Sequence, residues 1–203
     1  MDVYSKATRQ NRNIALSLQF SAKYATIVTI QMFFDGTLLR KDCNQMFSVG
    51  DKIVYPMHGA GVIEELEHLE VDGCNHLYYV MVIPTGNLKI RVSAQKAATI
   101  GIRGVYSKDE VLSRVSSVVS IPMSMPENWN QRYKENLERI KTGNLDEVTL
   151  VFRNLLHRER SKGLSSVEKK MLQTAKQIIL SEIVLSQNVE KDHAEQLLET
   201  ILQ

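Results

Sequence analysis

The chain has 203 residues, 43% of them hydrophobic and 24% charged, which suits a globular protein of one large or two small domains. Its net charge of +2, from 25 basic and 23 acidic residues, does not by itself indicate a nucleic-acid-binding protein. Two cysteines are too few for a disulfide framework, and no uninterrupted apolar run approaches the ~20 residues that span a bilayer, so we expect a reducing, cytoplasmic setting.

The first 45 residues differ in pattern from the rest of the chain. Residues 25–34 form a short apolar run, but the segment lacks the ordered parts of a signal peptide. A sharply patterned region begins at Met46. We interpret residues 1–45 as a non-native or disordered extension that precedes the true translation start at Met46; the alternative is a real, poorly ordered arm. N-terminal sequencing of the native protein distinguishes the two interpretations, since a mature start at Met1 contradicts the first.

Residues 46–106 are predicted to form a small β domain. Glycine, proline and the Asp72-Gly73 turn signal separate short extended runs. These runs are residues 52–55, 62–71, 77–83 and 88–92. The third run is nearly apolar and is predicted to be a central strand. Four or five short strands without a long helix are typical of a Tudor- or SH3-like barrel, which usually binds a partner rather than catalysing a reaction.

The last predicted strand carries two basic residues on one face. The period of two sends Leu88, Ile90 and Val92 inward. Lys89 and Arg91 then lie together outside. Arg91 is either an ordinary exposed arginine or an interface anchor beside a sheet edge to which a partner strand can add.

Residues 107–203 are predicted to form a compact all-α domain of four to five helices. Cap residues followed three positions later by glutamate or glutamine begin four of them. The pairs are Ser107 with Glu110, Asn128 with Gln131, Asn144 with Glu147, and Ser165 with Glu168. The helix after Ser165 is predicted to bury Val167, Met171, Ala175, Ile178 and Ile179. The whole chain is therefore predicted to be a two-domain α+β protein.

Trp129 is the only tryptophan and falls at the first position of a predicted helix. One interpretation makes it the head of an apolar stripe that continues at Tyr133 and Leu137, and hence a core residue. The other makes it an exposed aromatic next to Arg132 and Lys134 that can stack on or wedge against a base step. The residues alone leave both interpretations open.

The chain carries no motif of an active site. It has no triad, glycine-rich phosphate loop or paired carboxylates, and Cys74 with His76 is a close pair that we interpret as unliganded, because a zinc site needs four ligands. We therefore predict a non-enzyme with no cofactor, no metal and no small-molecule substrate.

Basic residues are concentrated in one part of the chain. Residues 125–180 contain 11 basic and 7 acidic residues, whereas residues 181–203 contain 1 and 5. The predicted basic faces comprise Arg132 with Arg139, then Arg153 with His157 and Arg160, and finally Lys169 with Lys170. Because a helix N-terminus disfavours cations, the two lysines there suggest a site that receives an anion such as a phosphate. The alternative is a solvated surface.

Four segments carry a resemblance to a known family. They are FSVGDKIVYPMHGAGVIEEL, LKIRV, ENWNQRYKENLERIKTG and VFRNLLHRERSKGLSSVEKKML. From Met46 to about Leu202 the chain resembles the CarD/CdnL family of bacterial transcription regulators. The first segment also occurs in the polymerase-binding module of transcription-repair coupling factors, but 203 residues cannot hold the helicase engine of those proteins.

The resemblance implies a Tudor-like domain that binds the β subunit of RNA polymerase by strand pairing. Arg91 matches the family's interface arginine, and Lys89 is a further expected contact. A second basic contact of some members falls at Leu69, which puts the strength of polymerase binding in doubt.

The resemblance also implies a helical domain that binds promoter DNA at the upstream edge of the bubble and stabilises the open complex. Trp129 would enter the minor groove. The expected DNA contacts are Trp129, Arg132, Lys134, Arg139, Arg153, Arg160, Lys169 and Lys170. The alternative is an adaptor that binds polymerase and recruits another protein without touching DNA. In either case we expect a monomer that does not bind membranes.

Overall fold

The computed structural model describes residues 46–71, 73–86 and 88–202, so the interpretation of residues 1–45 lies outside the described residues. Within them, five strands and six helices form an α+β protein. The strands are β1 (Lys52–Tyr55), β2 (Gly59–Val71), β3 (Cys74–Ile83), β4 (Leu88–Ser93) and β5 (Arg103–Gly104). The helices are α1 (Ala97–Ile100), α2 (Lys108–Ser117), α3 (Trp129–Lys141), α4 (Leu145–Ser161), α5 (Ser166–Gln187) and α6 (Lys191–Leu202).

The strands form one antiparallel sheet in the order β4-β3-β2-β1-β5. Strand β3 pairs on both sides, which confirms that the nearly apolar strand is internal. A bulge between Ile63 and Glu65 shifts the register of β2 against β3. One face of the sheet holds a hydrophobic cluster around Tyr79 and Met81, both fully buried. Strand β4 is an edge strand, so one side of its backbone has no strand partner among the described residues.

Leu88 departs from the predicted pattern of β4. Val92 is buried and Ile90 half-buried as expected, but Leu88 is exposed. Leu88 opens the edge strand directly after the β3–β4 turn, opposite Ile83, where the end of the strand is open to solvent. The period of two therefore predicts the face of this residue but not its burial.

The helices enclose a second hydrophobic cluster, which includes the fully buried Val148, Leu155 and Ile179. Helix α2 begins where its capping box predicts. The inner face of α5 begins one residue later than predicted, since Val167 is exposed and Glu168 is buried. A carboxylate can occupy that inward position only because charged and polar partners surround it, and the charged partner lies in another helix.

The sheet meets the helices along α5. The Ala60 N–H in β2 donates a hydrogen bond to Ser181 Oγ at 2.7 Å. Gly59 has a φ of +104°, and a Cβ added there would lie 2.4 Å from the same hydroxyl oxygen. Arg103 in β5 makes a bidentate pair with Glu182 in α5, at 2.7 and 2.9 Å. The described residues therefore belong to one compact unit with three hydrophobic clusters, and the division at residue 106 remains a prediction.

Candidate nucleic-acid interface

Trp129 is the first residue of α3, directly after the N-cap Asn128, and 41% of its surface is exposed. Its indole stacks on the Tyr133 ring, with centroids 5.6 Å apart and planes 12° from parallel. The indole Nε1–H donates a hydrogen bond to Ser165 Oγ at 3.1 Å. Trp129 is therefore an aromatic side chain held in place at the surface rather than a core residue.

Ser165 is the N-cap of α5 and takes part in a compact set of hydrogen bonds. Its hydroxyl donates to Glu168 Oε2 at 2.8 Å and accepts from the Glu168 N–H at 3.3 Å. The Ser165 N–H donates to the same carboxylate oxygen at 3.0 Å. With the bond from Trp129, the hydroxyl uses its one donor and both acceptor positions.

Arg132 lies inside the protein rather than on the predicted basic face. Its side chain is 2% exposed, and its Nε donates to Glu168 Oε1 at 2.7 Å. Its Nη1 donates to the carbonyls of Pro126 and Glu127 at 2.8 and 3.0 Å. The expectation of an exposed Arg132 is corrected, because a buried carboxylate 36 residues along the chain binds its guanidinium. In this structure it does not offer its charge to a phosphate.

The pKa of Glu168 reflects this pocket. Burial raises it, but hydrogen bonds from Ser165 and Arg132 outweigh burial, so the pKa lies below the ordinary value of 4.5. The folded protein therefore binds this proton less tightly than the unfolded chain does. The ionised carboxylate stabilises the fold fully above the unfolded pKa, and this contribution is lost as pH falls through the folded pKa.

We accordingly expect the free energy of unfolding to fall more steeply from about pH 5 to about pH 3 in the wild-type protein than in Glu168→Gln. Urea denaturation at a series of pH values measures both slopes. Equal slopes would show that the carboxylate is not ionised preferentially in the folded state.

Arg153 is also buried, which corrects its predicted place on an exposed face. Its Nη1 donates to the Val118 carbonyl and, at 3.2 Å, to the Val119 carbonyl. Burial lowers the pKa of its guanidinium, which stays protonated at neutral pH. Asn154, the next residue, donates to the Ser124 carbonyl at 3.4 Å. Together with Arg132, these side chains hold the segment that leads from α2 to Trp129.

Four of the predicted DNA contacts are exposed cations without an ion pair among the described residues. They are Lys134, Arg160, Lys169 and Lys170. Lys169 and Lys170 are the fourth and fifth residues of α5, about one turn from the serine that holds Trp129. Arg139 is partly exposed and pairs with Glu147. Arg160 borders a cavity of about 350 Å³ between α4, α5 and α6, so the structure does not group it with Trp129.

Lys89 and Arg91 lie on edge strand β4, on the face predicted for them. The Arg91 side chain is 63% exposed, and its Nε donates to Glu67 Oε2 at 2.6 Å. Lys89 Nζ lies 3.7 Å from Glu64 Oε2. Both cations thus pair across β3 with carboxylates of β2 while remaining accessible at the edge of the sheet.

The described residues contain no group of three or more His, Cys, Asp and Glu side chains that could hold a metal ion. Over the same residues, no helix combines the length and apolar character needed to cross a bilayer. The surface features described above that can bind a partner are an exposed aromatic ring, exposed cations and a sheet edge. The sequence predicts Ser165 and Glu168 as a capping box. It does not predict the hydrogen bonds from Trp129 to Ser165 and from Arg132 to Glu168.

Comparison with known proteins covers most of the described chain. Residues 47–106 match the family model for the CarD-like/TRCF RID domain, and residues 115–199 match that for the CarD C-terminal domain. A protein of Bacillus subtilis (strain 168) named "Putative transcription factor YdeB" is 37% identical over 141 residues, which are 68% of this chain and 90% of that protein. The chain therefore belongs to the CarD family of transcription regulators.

Proposed function

We propose that the protein regulates transcription by binding the β subunit of RNA polymerase through β4 and promoter DNA through the Trp129 surface, and so stabilises the open complex. The Trp129 surface is defined by Trp129, Tyr133, Lys169 and Lys170. The observation that carries the proposal is the exposed indole, held by a stacked ring on one side and a serine hydroxyl on its edge.

The Trp129 surface suits the edge of a melted duplex. A flat apolar ring can insert beside a base step that is already partly unstacked, where the cost of unstacking is low. Lys169 and Lys170 can attract the neighbouring phosphates without reading sequence. We propose that Trp129 enters the minor groove, as the family resemblance implies, and Lys134 is a further candidate phosphate contact on α3.

Strand β4 suits a protein partner. Its free side can add to a strand of the polymerase by main-chain hydrogen bonds, a mode of recognition that needs an open sheet edge. Arg91 and Lys89 flank that edge and can bind carboxylates of the partner. Leu69 lies on β2 opposite His76, and because its side chain is apolar it adds no charge to the polymerase contact.

Two weak contacts on one molecule give useful affinity. Once polymerase is bound, the Trp129 surface meets the DNA at a high effective concentration. The open complex is stabilised only if melted DNA is bound better than duplex. A preference of about 1–2 kcal/mol shifts the open-complex population roughly 5- to 30-fold.

The DNA contact is tested with a promoter that carries the fluorescent base 2-aminopurine at the upstream edge of the bubble, in complex with holoenzyme. Adding the full-length wild-type protein is expected to change the fluorescence, because the indole alters the stacking of that base. Trp129→Ala is expected to leave it unchanged while still binding polymerase. If the wild-type protein binds polymerase and also leaves the signal unchanged, an adaptor that recruits another protein becomes the better explanation.

A further inference from the structure

We infer that Ser165, Glu168 and Arg132 are positioning residues that fix the indole of Trp129 for its contact with DNA; this inference rests on the proposed function. None of the three needs to touch the nucleic acid. Arg132 and Glu168 are buried, and Ser165 meets the indole only at its N–H. Their effect is exerted through the orientation of one exposed ring.

The orientation of the Ser165 hydroxyl sets the acceptor for the indole. Because the Glu168 carboxylate only accepts hydrogen bonds, the Ser165 O–H points at it and the oxygen lone pairs remain for N–H donors. One lone pair accepts from the Glu168 N–H and the other from Trp129 Nε1. The ionised Glu168 has two acceptor oxygens, so one keeps the serine oxygen turned toward the indole while the other binds Arg132.

Arg132 binds the other oxygen of the Glu168 carboxylate and also holds the backbone that precedes Trp129. It donates to the carbonyls of Pro126 and Glu127, which come just before the N-cap of α3. The same guanidinium binds Glu168 at 2.7 Å. One buried ion pair thus joins the backbone that leads into Trp129 to the serine that holds the edge of its ring.

A second capping box in the chain shows what capping alone requires. Glu110 accepts hydrogen bonds from the Ser107 N–H and hydroxyl at 3.0 and 2.6 Å, as Glu168 does from Ser165. Glu110 is exposed and has no ion pair within the described part of the chain, and Ser107 holds no tryptophan. Burial of the carboxylate, the arginine and the bond to the indole are therefore additions that a helix start does not need.

These additions have a physical consequence for binding. An exposed aromatic ring that is free to change rotamer loses that freedom when it inserts beside a base, which weakens binding. A ring already held by a stacked tyrosine and a hydrogen bond loses less. Removing the hydrogen bond to Ser165 should therefore shorten the lifetime of the open complex without removing any group that contacts DNA.

The test compares Ser165→Gly with the matched control Ser107→Gly in the full-length protein. Glycine replaces serine at an N-cap at little cost to the helix, so both variants should unfold close to the wild-type midpoint. Ser165→Gly is expected to reduce the gain in open-complex lifetime about three- to ten-fold, whereas Ser107→Gly keeps it. Time-resolved anisotropy of the single tryptophan should show a faster local motion of the indole in Ser165→Gly alone.

A second comparison separates positioning from a general loss of structure. Glu168→Gln and its control Glu110→Gln are each made with Trp129 and with Trp129→Ala. Glu168→Gln is expected to shorten the lifetime only when Trp129 is present. The inference is overturned if Ser165→Gly leaves both lifetime and indole motion as in the wild type, or if the effect of Glu168→Gln persists without the tryptophan. If Trp129→Ala has no effect on lifetime, the proposed function fails, while the anisotropy still decides whether Ser165 holds the ring.

Discussion

Glu182→Ala is expected to lower the free energy of unfolding by about 3–5 kcal/mol, because it breaks a buried ion pair and leaves one partner behind. Glu182 is fully buried in α5 and accepts two hydrogen bonds from Arg103 and a third, at 3.3 Å, from the Tyr106 N–H. Arg103 also donates to the Gly143 carbonyl at 3.0 Å and lies over the Tyr106 ring. The substitution therefore disturbs the sheet, the helices and the chain between them at one point.

Thermal unfolding followed by circular dichroism measures the effect, which for a unit of this size is a fall in Tm of roughly 6–20 °C. Glu138→Ala is the matched control, since Glu138 pairs with Lys141 on the exposed surface of α3 and such pairs contribute little. A Tm for Glu182→Ala within one or two degrees of the control would show that the Arg103–Glu182 pair does not hold the sheet against the helices.

Arg91→Glu is expected to weaken binding to RNA polymerase by about 30-fold or more, close to 2 kcal/mol. The change removes a cation from the open edge of the sheet and replaces it with a charge that repels a carboxylate of the partner. Folding stability should change by less than about 0.5 kcal/mol, because the pair with Glu67 is exposed and the new repulsion is screened by water. Affinity for core polymerase without DNA is the quantity to measure.

Lys108→Glu is the control for this reversal, since it changes the net charge equally at an exposed residue of α2. It should bind polymerase as the wild type does. Similar losses in both variants would indicate that general charge rather than the β4 edge governs the association. If Arg91→Glu binds polymerase as tightly as the wild type, Arg91 does not contribute to the interface.

Local signals in the sequence predict much of the fold. Helix α2 follows from Ser107 and Glu110, and α3 follows from Asn128 and Gln131, because caps and helical spacing act over a few residues. Strands β1 and β4 lie where short β-branched runs are bounded by turn residues. The short helix α1 has no side-chain cap, so the sequence does not predict it.

The candidate site was less predictable because its key contacts are long-range. The sequence pattern predicts an exposed basic face for Arg132, and helical spacing does not single out Glu168 as buried. In the structure both side chains are buried and bind each other. Arg153 is similar, since its acceptors are backbone carbonyls of a turn about 35 residues earlier. Whether Trp129 is exposed or in the core depends on its packing against α5 and its bond to Ser165, 36 residues along the chain, which local patterns do not encode.

Helix α5 connects the two proposed surfaces. Its N-cap Ser165 holds Trp129, and its Ser181 and Glu182 hold the sheet that carries β4. Sixteen residues separate Ser165 from Ser181, which is about 24 Å along a helix axis. Because the helix is continuous and buried over much of this length, it can fix the spacing between the contact to polymerase and the contact to DNA.

The lifetime of the open complex on a ribosomal-RNA-type promoter tests most directly whether Trp129 stabilises melted DNA. Holoenzyme is compared alone, with the wild-type protein and with Trp129→Ala, after confirming that both proteins bind polymerase equally. We expect the wild-type protein to lengthen the lifetime roughly 5- to 30-fold and Trp129→Ala to lengthen it little or not at all. Equal lengthening by both proteins would contradict a role for Trp129 and leave polymerase contact alone as the cause.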